Sequence, residues 1–249
     1  TSDVIVSGFI RNQLGMGVGG VEIQLAGIEN TLVTGDDGLF NTLVPAGWSG
    51  TLSFIKDSFS LDPSQLTFDQ LYVDQEQIEV SGTRSRIAYV DQNALGRNDG
   101  SSWANAFTDL VNALNAPLSI DEIWVASGTY LPGTVRSSTF ALPPGIPVYG
   151  GFAGDEENRE SRSPLNNETI LSGDLGVLGS TEDNAYHVVT VAEGSHLDGF
   201  VVRDGHANKN ITNDFRGKGG GLFADGAVFT VANCRFLSNQ SFQGGSAVF

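Results

Sequence analysis

The sequence predicts an all-β chain, a small sandwich followed by a solenoid of short stacked strands, and three observations predict it. Gly219-Gly220-Gly221-Leu222-Phe223 returns 25 residues later as Gly244-Gly245-Ser246-Ala247-Val248. Self-similarity at such a period marks stacked coils, each with an apolar face too small to bury alone. The 249 residues include 32 glycines and only 17% charged residues, and they show little helical periodicity. That is the pattern of many short strands joined by tight turns. From Ile123 onward the β-prone runs follow one another too closely for helices to lie between them, which excludes a doubly wound sheet.

In the first segment, residues 1–84, apolar and polar residues alternate in Val21-Glu22-Ile23-Gln24-Leu25 and in Ile78-Glu79-Val80. Each run should bury one face and wet the other. Asp36-Asp37-Gly38 separates Thr31-Leu32-Val33-Thr34 from Leu39-Phe40 and predicts a hairpin in which glycine supplies the positive φ. The expected product is a sandwich of about seven strands. Ser7-Gly8-Phe9-Ile10, Gly20-Val21-Glu22-Ile23, Thr34 to Phe40, Val44 to Leu52 and Val80-Ser81-Gly82-Thr83 give the segment its family likeness. It resembles a carboxypeptidase-regulatory-like or CnaB-type Ig-like domain, and the resemblance implies a stalk, spacer or binding accessory. Some relatives carry a Lys-to-Asn isopeptide crosslink. Lys56 lies late in the segment rather than in the opening strand, so no crosslink is carried over.

Thr83-Arg84-Ser85-Arg86 reads as a polar linker, after which residues 85–249 form the second domain. Trp103, Ala106, Phe107, Leu110, Val111 and Leu114 fall at i, i+3, i+4, i+7 spacing, which predicts a helix over about 102–115 capped by Ser101 or Ser102. Its expected task is to cover the open end of the first coil. Candidate strands follow at 123–126, 138–142, 148–150, 169–172, 187–191, 200–203, 222–223, 228–231 and 234–237. Polar inserts at 154–168, 176–185 and 206–218 should project as loops, and function should reside on them.

Phe236-Leu237-Ser238-Asn239 followed by Gly244 to Val248 resembles the FxxN and GGA-[ILV] repeats of bacterial polymorphic outer-membrane proteins. Tyr89-Val90-Asp91, Asn98 to Phe107, Asp121 to Tyr130 and Val148 to Phe152 resemble the start of the pectin-lyase-like region of large secreted bacterial surface proteins. Together these imply a right-handed parallel β-helix over residues 86–249. Ser246 departs from the glycine motif, and no third copy follows before Phe249. The coil opened at Gly244 is therefore expected either to continue in a longer protein or to be covered by another copy, through self-association at the open C-terminal coil.

Thirteen Lys and Arg against 29 Asp and Glu give a formal net charge of -16. Such a surface repels nucleic acid and anionic lipid, and neither is expected as a partner. No run approaches the roughly 18 apolar residues a spanning helix needs, so no direct membrane insertion is expected. The single cysteine, Cys234, forbids an internal disulfide and reads as a small buried hydrophobe.

The pectin-lyase-like resemblance implies a search for carbohydrate chemistry. A lyase would need carboxylates to hold Ca²⁺ against a uronate and a base to remove the α-proton. The best local cluster is Asp198, Arg203, Asp204, His206 and Lys209. A hydrolase would need two facing carboxylates, for which Asp198 with Asp204 can be named and Asp174 approaches if its coil stacks beneath. Asp155, Glu156, Glu157 and Glu160 form the densest acidic run and are the candidate Ca²⁺ ligands; such a run is more often a solvated loop. His187, His196 and His206 do not cluster with Cys234, so no zinc is expected. Asn167-Glu168-Thr169, Asn210-Ile211-Thr212 and Asn239-Gln240-Ser241 match the glycosylation sequon, which a bacterial origin would leave silent. The expectation is an extracellular or cell-surface bacterial protein without catalytic residues or a required cofactor, an adhesin or a structural subunit of a surface layer or filament. The alternative is a carbohydrate-active β-helix protein, a lyase, hydrolase or binder of surface glycans.

Overall fold

A computed structural model describes residues 3–29, 31–56, 59–116, 120–210 and 215–249. The chain is all-β, its described helical segments being three short 3-10 turns and one five-residue α-helix. It divides into two compact units, Thr1–Ser85 and Arg86–Phe249.

The first unit holds β1 (Asp3–Asn12), β2 (Glu22–Leu25), β3 (Thr31–Val33), β4 (Leu39–Pro45), β5 (Trp48–Ile55), β6 (Phe59–Asp62), β7 (Gln65–Leu71) and β8 (Gln75–Arg84). They form two four-stranded sheets, ordered β4-β1-β8-β6 and β3-β2-β5-β7. Alternation decides which side chains meet: Val4, Val6 and Ile10 from one sheet and Ile23, Leu25, Leu52 and Phe54 from the other share one buried core. Eight described strands replace the seven expected. The expected hairpin at Asp36-Asp37-Gly38 is also corrected, because β3 pairs with β2 while β4 pairs with β1. Those three residues instead carry the chain from one sheet to the other. Ile10 donates its N–H to the Gly38 carbonyl at 2.8 Å, and a Cβ on Gly38 would lie 2.2 Å from the Ile10 oxygen. Backbone contact with β1, rather than hairpin closure, therefore demands this glycine.

The second unit is laid down in successive rounds. They run through β9 (Ile87–Val90), β10 (Glu122–Ala126), β11 (Gly128–Tyr130) and β12 (Phe140–Leu142), then β13 (Pro147–Phe152), β14 (Thr169–Ser172) and β15 (Val189–Val191). They continue through β16 (His196–Asp198), β17 (Phe200–Arg203), β18 (His206–Ala207) and β19 (Leu222–Ala224), and end with β20 (Thr230–Ala232), β21 (Arg235–Leu237) and β22 (Gln240–Ser241). Every pairing between these strands is parallel, in ladders ordered β20-β16-β13-β10-β9, β11-β14-β17-β21, β12-β15-β19 and β18-β22. In-register pairing stacks like on like. Ala88, Ile123, Val148, Leu197 and Val231 form one column, Tyr130, Leu171, Val202 and Phe236 a second, and Phe140, Val189 and Leu222 a third. These columns are the core, and all but the last residues of the first two are buried.

The helix expected over 102–115 is two separate pieces, a 3-10 turn at Trp103–Asn105 and α1 (Leu110–Leu114). Ser102 caps the first by accepting from the Asn105 N–H, and Asp109 caps the second by accepting from the Val111 N–H. The break has a physical cause. Phe107 joins the sheet beside β9, donating to the Tyr89 carbonyl and accepting from the Asp91 N–H, each at 2.9 Å. Two backbone hydrogen bonds to a strand thus displace the helical pattern that side-chain spacing favours. Leu110 and Ala113 are buried where α1 packs against β9, β10 and β12. Trp103 leaves that stripe and joins Tyr89, Trp124 and Phe152 in an aromatic cluster on the outer side of the sheet.

The corners between ladders are where backbone passes backbone. Asn239 accepts the Gly205 N–H at 3.0 Å and donates to the Val202 carbonyl at 2.9 Å, tying one round to the next. A Cβ on Gly205 would lie 1.8 Å from the Gly220 oxygen. Asn239 is thereby engaged rather than free as a glycosylation acceptor, and Ile211 and Thr212 of the second sequon lie outside the described residues. Asn239→Ala should cost about 1–3 kcal/mol by leaving two backbone groups unpartnered. Gly205→Ala should cost about 3 kcal/mol or more because backbone, not a side chain, must yield. Urea denaturation followed by circular dichroism measures both.

Candidate functional site

The second unit has a cleft of about 650 Å³ lined by Arg159, Glu160, Arg162, Pro164, Leu165, Asn233, Cys234 and Arg235. Strand alternation decides what its arginines rest on. Val148 and Leu197 point into the core, so Tyr149 and Asp198, partners in the parallel register, point out on the opposite face. The insert after β13 then folds over them. Glu156 shapes its start by accepting the N–H groups of Ala153, Gly154 and Asp155 at 2.6, 3.0 and 3.2 Å. Asn158 accepts from the Ser161 N–H and caps a 3-10 turn that delivers Arg159 and Arg162 to these two side chains.

Each guanidinium is already occupied. Arg162 pairs with Asp198 at 2.9 Å, donates to the Gly150 carbonyl at 2.9 Å and lies over the Tyr149 ring. Arg159 pairs with Glu122 at 3.3 Å and Glu160 at 3.2 Å and donates to the Tyr149 hydroxyl at 3.2 Å. Arg235 pairs with Glu168. Asn233 supplies the second hydrogen bond to Asp198, at 2.8 Å. Burial pushes the Tyr149 phenol up, the neighbouring guanidinium of Arg159 opposing it only in part, so the hydroxyl keeps its proton. Burial opposes the charge on Arg159, but Glu122, then Tyr149 and Glu160, more than offset it and hold the group above its ordinary value. A proton-abstracting base needs the reverse of both shifts.

The set Asp198, Arg203, Asp204, His206 and Lys209 does not come together. Asp198 ends β16 beneath Arg162, whereas Arg203 ends β17 on the neighbouring ladder and pairs with Asp204 at 2.5 Å. The His206 ring faces the Thr181 carbonyl at 2.6 Å, and the Lys209 ammonium lies 5.7 Å from the Tyr186 ring centre. The strand before Asp174 does stack beside β17, Gly173 donating to the Arg203 carbonyl at 2.9 Å, but Asp174 turns its Oδ2 to the Gly179 N–H at 2.9 Å. The acidic run does not gather either. Glu156 folds onto its own loop, Glu160 turns to Arg159, and no group of three or more His, Cys, Asp or Glu able to hold a metal exists among the described residues. The three histidines are dispersed: His187 faces the Gly219 carbonyl at 3.0 Å, and the His196 ring lies against Tyr149. Sequence reasoning missed Tyr149, Arg159 and Arg162. The 3.9 Å approach of His196 to Asp198 and the loop that seats Arg162 depend on which strands are neighbours, which no local pattern states.

No family model matches the chain, and no curated protein matches it. Among solved structures it is similar to a type II cohesin–X-dockerin complex from Acetivibrio cellulolyticus, at 15% identity and a TM-score of 0.26 over 34% of this chain and 60% of that one. It is also similar to the Bacillus anthracis TIE protein, at 16% identity and a TM-score of 0.28 over 36% of this chain and 19% of that one. Likenesses this slight carry no argument about function. No described helix is long and apolar enough to cross a membrane.

Two outcomes are expected. Asp198→Ala leaves the largely buried Arg162 guanidinium without its carboxylate and should cost about 3–5 kcal/mol in denaturant titration. Burial pushes the Cys234 thiol up, so iodoacetamide at neutral pH should label the folded protein far more slowly than the unfolded chain, read by mass spectrometry.

Proposed function

We propose that Arg86–Phe249 is a right-handed parallel β-helix and Thr1–Ser85 an Ig-like sandwich, as their motifs suggest, and that the chain is a noncatalytic extracellular protein of a bacterial surface. In this reading it is an adhesin or a structural subunit of a surface layer or filament. One observation carries it: the charged side chains that carbohydrate chemistry would use are spread over different ladders and already paired with protein groups. Parallel ladders stacked in register support the helical solenoid. The last strands, β20, β21 and β22, each have one strand neighbour among the described residues, an edge that a further round could extend whichever chain supplies it.

A second reading is favoured by the cleft itself. Arg159, Arg162 and Arg235 line it in a chain of net charge -16; Arg235, paired with Glu168 but half-exposed, has guanidinium N–H groups to spare for the carboxylates of an acidic surface glycan, bound without turnover.

The test is to incubate the full chain with polygalacturonate and alginate, following unsaturated product by ultraviolet absorbance and retention by affinity electrophoresis. No product is expected. Retention that falls at least about tenfold in Arg235→Ala would select the glycan-binding form of the reading. Product that disappears in Arg203→Ala or Lys209→Ala would overturn the noncatalytic reading in favour of a lyase.

A further inference from the structure

The insert between β14 and β15 contains a feature that neither the cleft nor the acidic run after β13 explains. Asp174 Oδ1, Asp183 Oδ1 and Asn184 Oδ1 are all buried and have no hydrogen-bond partner among the described residues. Asn184 is only 4% exposed. An orphaned buried oxygen is costly, and this one loop holds three, two of them on carboxylates.

The loop closes on itself at its neck. Ala185 donates its N–H to the Gly173 carbonyl at 2.8 Å, so that Asp174 and Asn184 are the first loop residues inside the closure, one from each end. The Asp183 Oδ2 accepts the Val177 N–H at 2.6 Å and fills the space beside Gly176. Asp174 uses its Oδ2 on the Gly179 N–H. Each carboxylate therefore spends one oxygen on fixing the loop and leaves the other without a partner. The frame is held from outside: Arg136 donates to the Asn184 carbonyl at 2.7 Å, His206 donates its backbone N–H to the Ala185 carbonyl at 2.7 Å, and the His206 ring engages Thr181.

We propose that Asp174, Asp183 and Asn184 form a Ca²⁺ site in the neck of this loop. The donors are all hard oxygens on a bendable loop, with the remaining positions open to main-chain carbonyls and water, which suits Ca²⁺ better than Zn²⁺ or the strict octahedron of Mg²⁺. Two carboxylates and one carboxamide place the affinity in the range of extracellular modules, with Kd about 10⁻⁴–10⁻³ M. Ion binding to the folded state alone would raise stability in proportion to its occupancy.

The test is calorimetric titration of the full chain with CaCl₂, against MgCl₂, together with thermal unfolding in Ca²⁺ and in EDTA. One saturable Ca²⁺ site and a melting temperature that rises with Ca²⁺ are expected. Asp183→Asn should weaken binding at least about tenfold while raising the melting temperature in EDTA, since it relieves repulsion that the ion would otherwise neutralise. Asn184→Asp should do the opposite in both respects, which a purely structural role would not produce. The double variant Asp155→Asn, Glu157→Gln, at two exposed positions of the other acidic run, should bind as the parent does. No saturable binding up to about 10 mM Ca²⁺ would overturn the proposal, as would binding that survives Asp174→Asn with Asp183→Asn or that is lost with the Asp155 and Glu157 pair.

Discussion

The second unit depends on one constraint: a chain that returns to lie in register on its previous round must turn corners where backbone runs against backbone. A side chain at such a point would push the rounds apart. Gly205 sits where a Cβ would meet the Gly220 oxygen, and the corner is then sealed by Asn239, whose amide satisfies a donor and an acceptor on the round below. Once the corners hold, the ladders place like side chains over like, and the columns of Val, Leu, Ile and Phe follow from strand alternation alone. The glycine and asparagine motifs are thus the geometric condition for the apolar core, not an ornament on it.

The same constraint shapes the outer surface. Because Val148 and Leu197 must face inward, Tyr149 and Asp198 are left outside, and the insert after β13 covers them with two arginines. The resulting network is rich in groups that could do chemistry, yet its ion pairs are internal and Tyr149 retains its proton. Such a network specifies how a loop lies on a sheet. Its energetic value lies in keeping each buried charge matched, since losing either partner costs more than the pair contributes.

Much of this was legible locally and some was not. The alternation in Val21–Leu25 gave the right face, and the β-prone runs near 123–126, 169–172 and 200–203 coincide with β10, β14 and β17. The pattern over Trp103–Leu114 misled because helical spacing describes side chains, while Phe107 is claimed by two backbone hydrogen bonds to β9. The Asp36-Asp37-Gly38 turn misled for a related reason: turn chemistry fixes that the chain bends, not which sheet receives it. Strands β11, β16, β18 and β22 went unread because two or three residues leave too short a run for any period to show. The proposed cluster failed on topology. Asp198 and Arg203 are five residues apart in sequence, but a corner at Gly199 puts them on different ladders.

The aromatic cluster outside β9, β10 and β13 has an optical consequence. Of the chain's three tryptophans, Trp48 belongs to the first unit and the other two, Trp103 and Trp124, sit together in this cluster. Their shared emission is a reporter for the earliest rounds of the second unit alone. From Tyr149 onward there is no indole, so rounds that fray at the far end of the stack would do so in the dark, invisible to intrinsic fluorescence while backbone circular dichroism still registers their loss.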